Sequence, residues 1–330
     1  MADYTTDTRN ITSFLAATIE KMVNDGVVAD AIYKKRWLLN KLMETDAVLT
    51  VDGGERLRGA FQYAKNSTAS SYADDEVLDV TIQDNETSWF VNWKQYSASI
   101  VITGKEITLN KGNETRLFNL LAQRTRDAAQ SVQDDVVVGL FSDGTGNGSK
   151  DITGFEAAME TTPGSTSYAS VPTSNSAWQN ISITSVGAAA VNLLPNMRSG
   201  ANQVLEIGGE GPNVGVDLWV TTRAIHESYE ALHVPAQRYG PDQSPDFGLE
   251  QTPKFKGVPV IWDPQCTTGM MYGLTTSACG LACHEDRKFA ESEEGLQKPV
   301  NQDTLISQIF ALLNFFTTNR AKLVKLSGIT

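Results

Sequence analysis

The chain has 330 residues, enough for two compact domains or one large fold with excursions. With 41% hydrophobic and 20% charged residues it can bury a core, which excludes wholesale disorder. The net charge of −12, from 27 basic and 39 acidic side chains, argues against tight sequence-independent nucleic-acid binding, which needs clustered Lys and Arg.

No apolar run approaches the ~18–20 residues of a membrane helix. The first residues, MADYTTDTRN, lack the basic and apolar regions of a secretory signal, so none is expected. Three cysteines, Cys266, Cys279 and Cys283, do not make a disulfide framework and fit a reducing compartment.

Residues 1–52 read as an arm with two short helices. Thr12 or Ser13 can cap the first, whose apolar stripe is Phe14, Leu15, Ile19, Met22 and Val23, with Gly26 ending it. Asp30 can cap the second, which carries Tyr33, Trp37, Leu38, Leu39 and Leu42.

Residues 53–110 read as a long two-stranded excursion, too thin to hold a core of its own. Leu57, Phe61 and Tyr63 alternate with Arg56, Arg58 and Gln62, a loop follows over 65–71, and Leu78, Val80 and Ile82 alternate again. Trp89, Val91 and Trp93 share one parity, and Tyr96, Ala98, Ile100 and Ile102 share the other. That slip predicts a β-bulge. Asp74, Asp75, Glu76, Asp79, Asp84 and Glu86 lie in a span with no base between Lys65 and Lys94. A solvated acidic loop explains them, as does an electrostatic contact with a basic surface on another subunit. The spacing does not match a calcium loop.

The spacing of Leu117, Leu121, Ala128, Val132, Val136 and Leu140 predicts a helix over 114–141, about 40 Å long at 1.5 Å per residue. It stops at Ser142-Asp143-Gly144-Thr145-Gly146-Asn147-Gly148, a turn that lacks the order of a phosphate loop. Residues 161–180 read as an exposed loop and 183–197 as a helix with Pro195 near its end, followed by a glycine-rich stretch over 198–215. A strand over Val214–Val220 leads to a helix capped by Thr222, and Val258 and Val260 start another strand. Three prolines mark 240–254 as loop. The 303–316 segment suits a helix through Leu305, Ile309, Leu312 and Phe316, or a strand through Leu305, Ile309, Ala311, Leu313 and Phe315. The end, Arg320 to Lys325, is basic.

Catalytic chemistry has few candidates. Cys279-x-x-x-Cys283-His284 is the one metal-like cluster, and with Cys266 as the sole further thiol it reads as buried thiols rather than a zinc site. There is no G-x-S-x-G elbow, and His226 and His233 are seven apart. No nucleophile–base–orienter set emerges, so neither a catalytic residue, a cofactor nor a metal ligand is assigned.

The order of parts resembles the major capsid proteins of tailed bacteriophages, with the Hong Kong 97-like fold. Residues 139–148 followed by Ile152-Thr-Gly-Phe155 are similar to that family's turn after its spine helix. Leu218-Trp-Val-Thr-Thr-Arg-Ala224 resembles its strand-to-helix segment, Phe255-Lys-Gly-Val-Pro-Val260 its hairpin, and Arg320–Leu326 its last strand. The resemblance implies an α+β fold with an N-terminal arm (1–52), an extended β loop (53–110), a peripheral domain with the spine helix (111–197), an axial domain (198–290) and return strands (291–330). It implies a non-enzymatic coat protein that self-assembles into pentamers and hexamers of an icosahedral head in the host bacterial cytoplasm. That head would hold double-stranded DNA by weak, non-specific contact, with scaffolding, portal and decoration proteins as further partners and no membrane. In that fold the basic end lies where a neighbour's excursion overlies it. The implied intersubunit contact therefore joins Asp74, Asp75, Glu76, Asp79, Asp84 and Glu86 to bases drawn from Arg56, Arg58, Arg320, Lys322 and Lys325. An encapsulin-type compartment shell and a soluble α/β enzyme with a site in 198–290 are the alternative readings.

Overall fold

The computed structural model describes residues 37–45, 47–109, 114–172, 175–207, 215–237, 253–291 and 295–330. The first predicted arm helix, Asp30 and Tyr33 of the second, and residues 240–252 of the proline-rich loop lie outside them.

In chain order the elements are α1 (Trp37–Glu44), β1 (Val48–Val51), β2 (Arg56–Gln62), β3 (Glu86–Asn92), β4 (Lys94–Thr103), α2 (Gly104–Leu109), α3 (Glu114–Leu140), α4 (Gly146–Ser149) and α5 (Phe155–Ala158). They continue with β5 (Ser167–Tyr168), β6 (Val171–Pro172), β7 (Ile181–Ile183), α6 (Ala189–Ile207), β8 (Leu218–Thr221), α7 (Arg223–Gln237), β9 (Lys254–Phe255) and β10 (Val258–Trp262). The last five are β11 (Met270–Leu274), β12 (Cys279–His284), β13 (Ala290–Glu291), β14 (Thr304–Thr317) and β15 (Val324–Ser327). The chain divides into two compact units. The first takes residues up to 53, 94–152 and 281–314, and the second 54–93, 153–280 and 315–330.

In the first unit β4 pairs antiparallel with β14 over ten residues, from Lys94↔Leu313 to Thr103↔Thr304. Leu305, Ile309, Ala311, Leu313 and Phe315 are buried while Leu312 and Phe316 are only partly so. The two-residue period therefore decides 303–316 as a strand with one buried face. The predicted long helix is present as α3, with Leu121, Val132, Val136 and Leu140 buried. Gly139 lets it approach β4, because a Cβ there would sit 2.8 Å from the Tyr96 hydroxyl. That hydroxyl accepts a hydrogen bond from the Ile152 N–H at 3.0 Å.

A capping box opens α2. The Thr103 N–H donates to Glu106 Oε2 at 3.0 Å and the Glu106 N–H to Thr103 Oγ1 at 3.3 Å. Arg124 of α3 clamps the same carboxylate through both terminal nitrogens, at 3.0 and 2.6 Å. This hydrogen-bonded guanidinium, with the Thr103 N–H, holds Glu106 down at about 2. In α1, Leu38, Leu39 and Leu42 are buried as the sequence predicts, whereas Trp37 is exposed.

The second unit is built on a six-stranded sheet in the order β7-β15-β11-β8-β10-β9. All four residues of β8 and all four of β15 are buried, as expected of central strands covered on both faces. Thr222 precedes α7 and its carbonyl accepts the His226 N–H, so the predicted strand-to-helix step over 218–224 is present. Leu193, Met197, Val204, Trp219, Tyr229, Met271, Val324 and Leu326 form the core.

Four expectations need correction here. The helix expected over 183–197 begins at Ala189 and runs to Ile207. Ser185 and Gly187 have φ of 56° and 72°, a turn that separates β7 from α6. Pro195 lies inside the helix, because burial of Leu193, Met197, Gly200, Ala201 and Val204 along one face outweighs the lost backbone bond. A boundary at 197/198 would cut this helix, so 198–207 is no glycine-rich connection.

The 161–180 segment is not simply an exposed loop. It carries the β5–β6 hairpin and buries Tyr168, Val171 and Trp178. The parity slip before Tyr96 is not a bulge. Asn92 ends β3 and Lys94 starts β4, so the chain leaves one sheet and enters another at Trp93. Finally, the return segment does not stay together: β14 up to Asn314 belongs to the first unit and β15 to the second, where it pairs with β7 and β11.

Candidate functional site

The excursion has a firm base and an exposed tip. β2 and β3 pair antiparallel over seven residues, from Arg56↔Asn92 to Gln62↔Glu86. One face, Leu57, Phe61, Trp89 and Val91, is buried. Phe61 meets Trp178 edge-on with ring centroids 4.6 Å apart, and Trp89 stacks on Phe316 at 6.1 Å. Trp89 also lies directly over its cross-strand partner Gly59, where a Cβ would fall 2.5 Å from the ring. The hairpin base thus has no core of its own and shares that of its unit.

Between the strands, residues 63–85 form no strand. The alternation of Leu78, Val80 and Ile82 therefore marks no sheet among the described residues. Val77, Val80 and Ile82 are 93%, 89% and 96% exposed, and Tyr72 and Leu78 are exposed too. Neighbouring apolar side chains left in water are a costly surface for an isolated chain. The sequence carried this signal in its alternation, but only the absence of a pairing partner reveals it as a free surface.

Five of the six carboxylates sit on the same segment, and the sixth, Glu86, opens β3. Asp74, Asp75, Glu76, Asp79, Asp84 and Glu86 are all exposed. Glu76 accepts the Ala73 N–H at 3.1 Å. Asp79 accepts the Thr81 hydroxyl and N–H at 2.6 and 3.0 Å, and these bonds hold its carboxyl below the usual range. Tyr63 donates to the Asp84 carbonyl at 2.6 Å and Ser67 to Gln83 Oε1 at 2.6 Å, so the segment has local order. Among the described residues none of the six makes an ion pair with a base.

The structure separates the basic candidates. Arg56 and Arg58 are exposed on the outer face of β2, Arg56 lying 4.9 Å over the Phe90 ring. Lys322 is partly buried, and its carbonyl accepts the Thr275 hydroxyl at 2.9 Å. Arg320 and Lys325, expected to meet a neighbour, are fully buried and already paired. Lys325 Nζ lies 2.5 Å from Glu156 Oε2, and Tyr272 donates to the other oxygen of that carboxylate.

Arg320 Nη2 lies 3.3 Å from Glu160 Oε1, and its Nε donates to the Ala158 carbonyl. Burial pushes Glu160 up, but the Thr166 hydroxyl, the Arg320 charge and the Ser165 N–H outweigh it and bring the carboxyl down to about 2. Both cations thus serve the interior. The signal was a lysine between Val324 and Leu326, in a strand that the sheet places centrally.

The thiols fit no metal centre. Cys266, Cys279 and Cys283 are free and buried, and burial pushes Cys283 up to about 11, so it stays protonated at neutral pH. His226 is buried with Nε2 3.1 Å from the Val260 carbonyl. Among the described residues no group of three His, Cys, Asp or Glu could hold a metal, and no helix is long and apolar enough to cross a membrane.

No protein-family model and no curated protein matches the chain. Solved structures do. The chain is similar to the capsid asymmetric unit of cyanophage A-1(L), with a TM-score of 0.66, 13% identity, and coverage of 86% of this chain and 90% of that one. It is similar to the capsid of Myoviridae phage XM1, with a TM-score of 0.54, 9% identity, and coverage of 87% and 91%. It is also similar to the capsid of a native GTA particle, with a TM-score of 0.52, 11% identity, and coverage of 88% and 90%. The fold is thus the α+β, Hong Kong 97-like fold of capsid proteins, as the order of sequence elements implies.

Proposed function

We propose that this chain is a non-enzymatic shell subunit that self-assembles into the closed head of a tailed bacteriophage. What supports the reading is the fold, which follows phage capsid subunits over nearly the whole length of both chains. The exposed strip of Tyr72, Val77, Leu78, Val80 and Ile82 among carboxylates suits a segment whose partner is another subunit. The acids would meet bases of an adjacent chain. Arg320 and Lys325 are spent inside, so Arg56, Arg58 and Lys322 remain as candidates. The head would hold double-stranded DNA, and an overall acidic chain would touch it only weakly and without base readout. Scaffolding, portal and decoration proteins would be its other partners.

Negative-stain microscopy of the expressed chain tests this. Closed particles are expected, and a uniformly monomeric protein overturns the shell reading. Packaged DNA marks a phage head, whereas packaged protein marks an encapsulin-type compartment. Deleting residues 64–84 leaves β2 and β3 intact and should give a folded subunit that closes no shells. Replacing Asp74, Asp75 and Glu76 by Asn, Asn and Gln should flatten the salt dependence of assembly, since exposed pairs of about 0–1 kcal/mol each are screened by salt. An unchanged salt dependence would leave the carboxylates as solvated side chains.

A further inference from the structure

The turn that follows α3 carries an asparagine set up for a spontaneous chemical change. Residues 145–150 are all exposed. Asn147, Gly148 and Ser149 have φ of 49°, 66° and 65°, three consecutive left-handed residues, two of which are not glycine. Two backbone bonds close the turn, Ser149 N–H to the Thr145 carbonyl at 3.2 Å and Lys150 N–H to the Gly146 carbonyl at 3.3 Å. Both are at the long end of the hydrogen-bond range, so local opening costs little. Among the described residues none holds the Asn147 side-chain amide. Gly148 has no side chain to crowd its nitrogen, and even a Cβ there would meet nothing within 4 Å.

We propose that Asn147 is a modification site that converts without an enzyme to aspartate and isoaspartate. On opening, the Gly148 nitrogen gives its proton to water or hydroxide and attacks Cγ of Asn147. A new C–N bond closes a five-membered imide, the bond from Cγ to the side-chain nitrogen breaks, and that nitrogen leaves as ammonia. Water then adds to either imide carbonyl, giving aspartate or isoaspartate. One water is consumed, one ammonia is released, and nothing is oxidised or reduced.

The observed ψ of 41° at Asn147 turns the Gly148 nitrogen away from Cγ, so conversion waits on the turn's opening. The product adds a carboxylate between Asp143 and Asp151, and isoaspartate lengthens the backbone beside Ser149, whose carbonyl accepts from Lys94. The turn that ends the long helix would therefore age with time and alkalinity.

The purified full chain, incubated in mildly alkaline buffer and mapped by peptide mass spectrometry, tests this. The peptide containing Asn147 should gain the mass difference between an amide and an acid, with an isoaspartate product, several-fold faster than peptides containing Asn66 or Asn301. Those two are exposed but are followed by Ser67 and Gln302, and the Asn66 side-chain amide oxygen Oδ1 accepts from the Thr68 N–H and hydroxyl. Asn147→Gly, which keeps the left-handed conformation, should abolish the change without altering the subunit's melting temperature. The proposal is overturned if Asn147 stays an amide in the folded chain while converting in urea, or if Asn66 or Asn301 converts as fast.

Discussion

Glu156→Ala should destabilise the second unit more than any other single side-chain truncation at its surface or rim. It strips the carboxylate from Lys325, whose ammonium is fully buried in the central strand β15. An unpaired buried charge costs about 3–5 kcal/mol. At a urea slope of about 3 kcal/mol per molar, the midpoint should fall by about 1–2 M. Lys325→Met should cost less, because Glu156 keeps the Tyr272 hydroxyl and is 26% exposed to water. Replacing both, as Glu156→Leu with Lys325→Met, should recover most of the loss, since an apolar pair of similar volume avoids two desolvation penalties.

Urea unfolding of dissociated subunits, followed by the fluorescence of Trp219 and Trp178, both buried in this unit, gives the midpoints for a double-mutant cycle. A loss below about 1 kcal/mol for Glu156→Ala would mean that water reaches Lys325, and the reasoning fails. A double variant no better than the single would refute it equally.

Acid should act through the other buried pair. The Glu160 carboxyl is held at about 2, below its unfolded value of 4.5, so its contribution is fully present above about pH 4.5 and is lost as pH falls toward 2. Glu160→Gln should reduce stability at neutral pH and flatten the melting temperature between those limits; an unaltered acid limb would show that Arg320 contributes nothing there. Gly139→Ala forces a Cβ to within 2.8 Å of the Tyr96 hydroxyl and should cost about 1–3 kcal/mol despite alanine's better helix propensity. Tyr96→Phe in the same background should restore part of that loss, as read by thermal melting.

Periodicity made the long helix, the strand-to-helix step at Thr222 and the strand at Val258 legible, because each has one dominant buried face. The 303–316 segment was undecidable locally, since Leu305 and Ile309 satisfy both periods; its ten-residue pairing with β4 decides it. Arg320 and Lys325 were misread because charge near a chain end signals exposure. Nothing local shows that β15 enters the middle of a sheet with Glu156 and Glu160 waiting for it. The acidic segment was legible as charge, and its apolar side chains were legible as alternation. Their exposure was not, because a period of two implies a strand only where a partner strand exists.

The position of β15 also sets the order of events during synthesis. It lies between β7 and β11, so the six-stranded sheet of the second unit is split until residues 324–327 have been made. Until then the nascent chain holds β7 and β11 as two open edges, with Glu156 and Glu160 lacking their cations. A chain interrupted anywhere before residue 324 cannot complete the sheet, and so cannot present itself as a finished subunit.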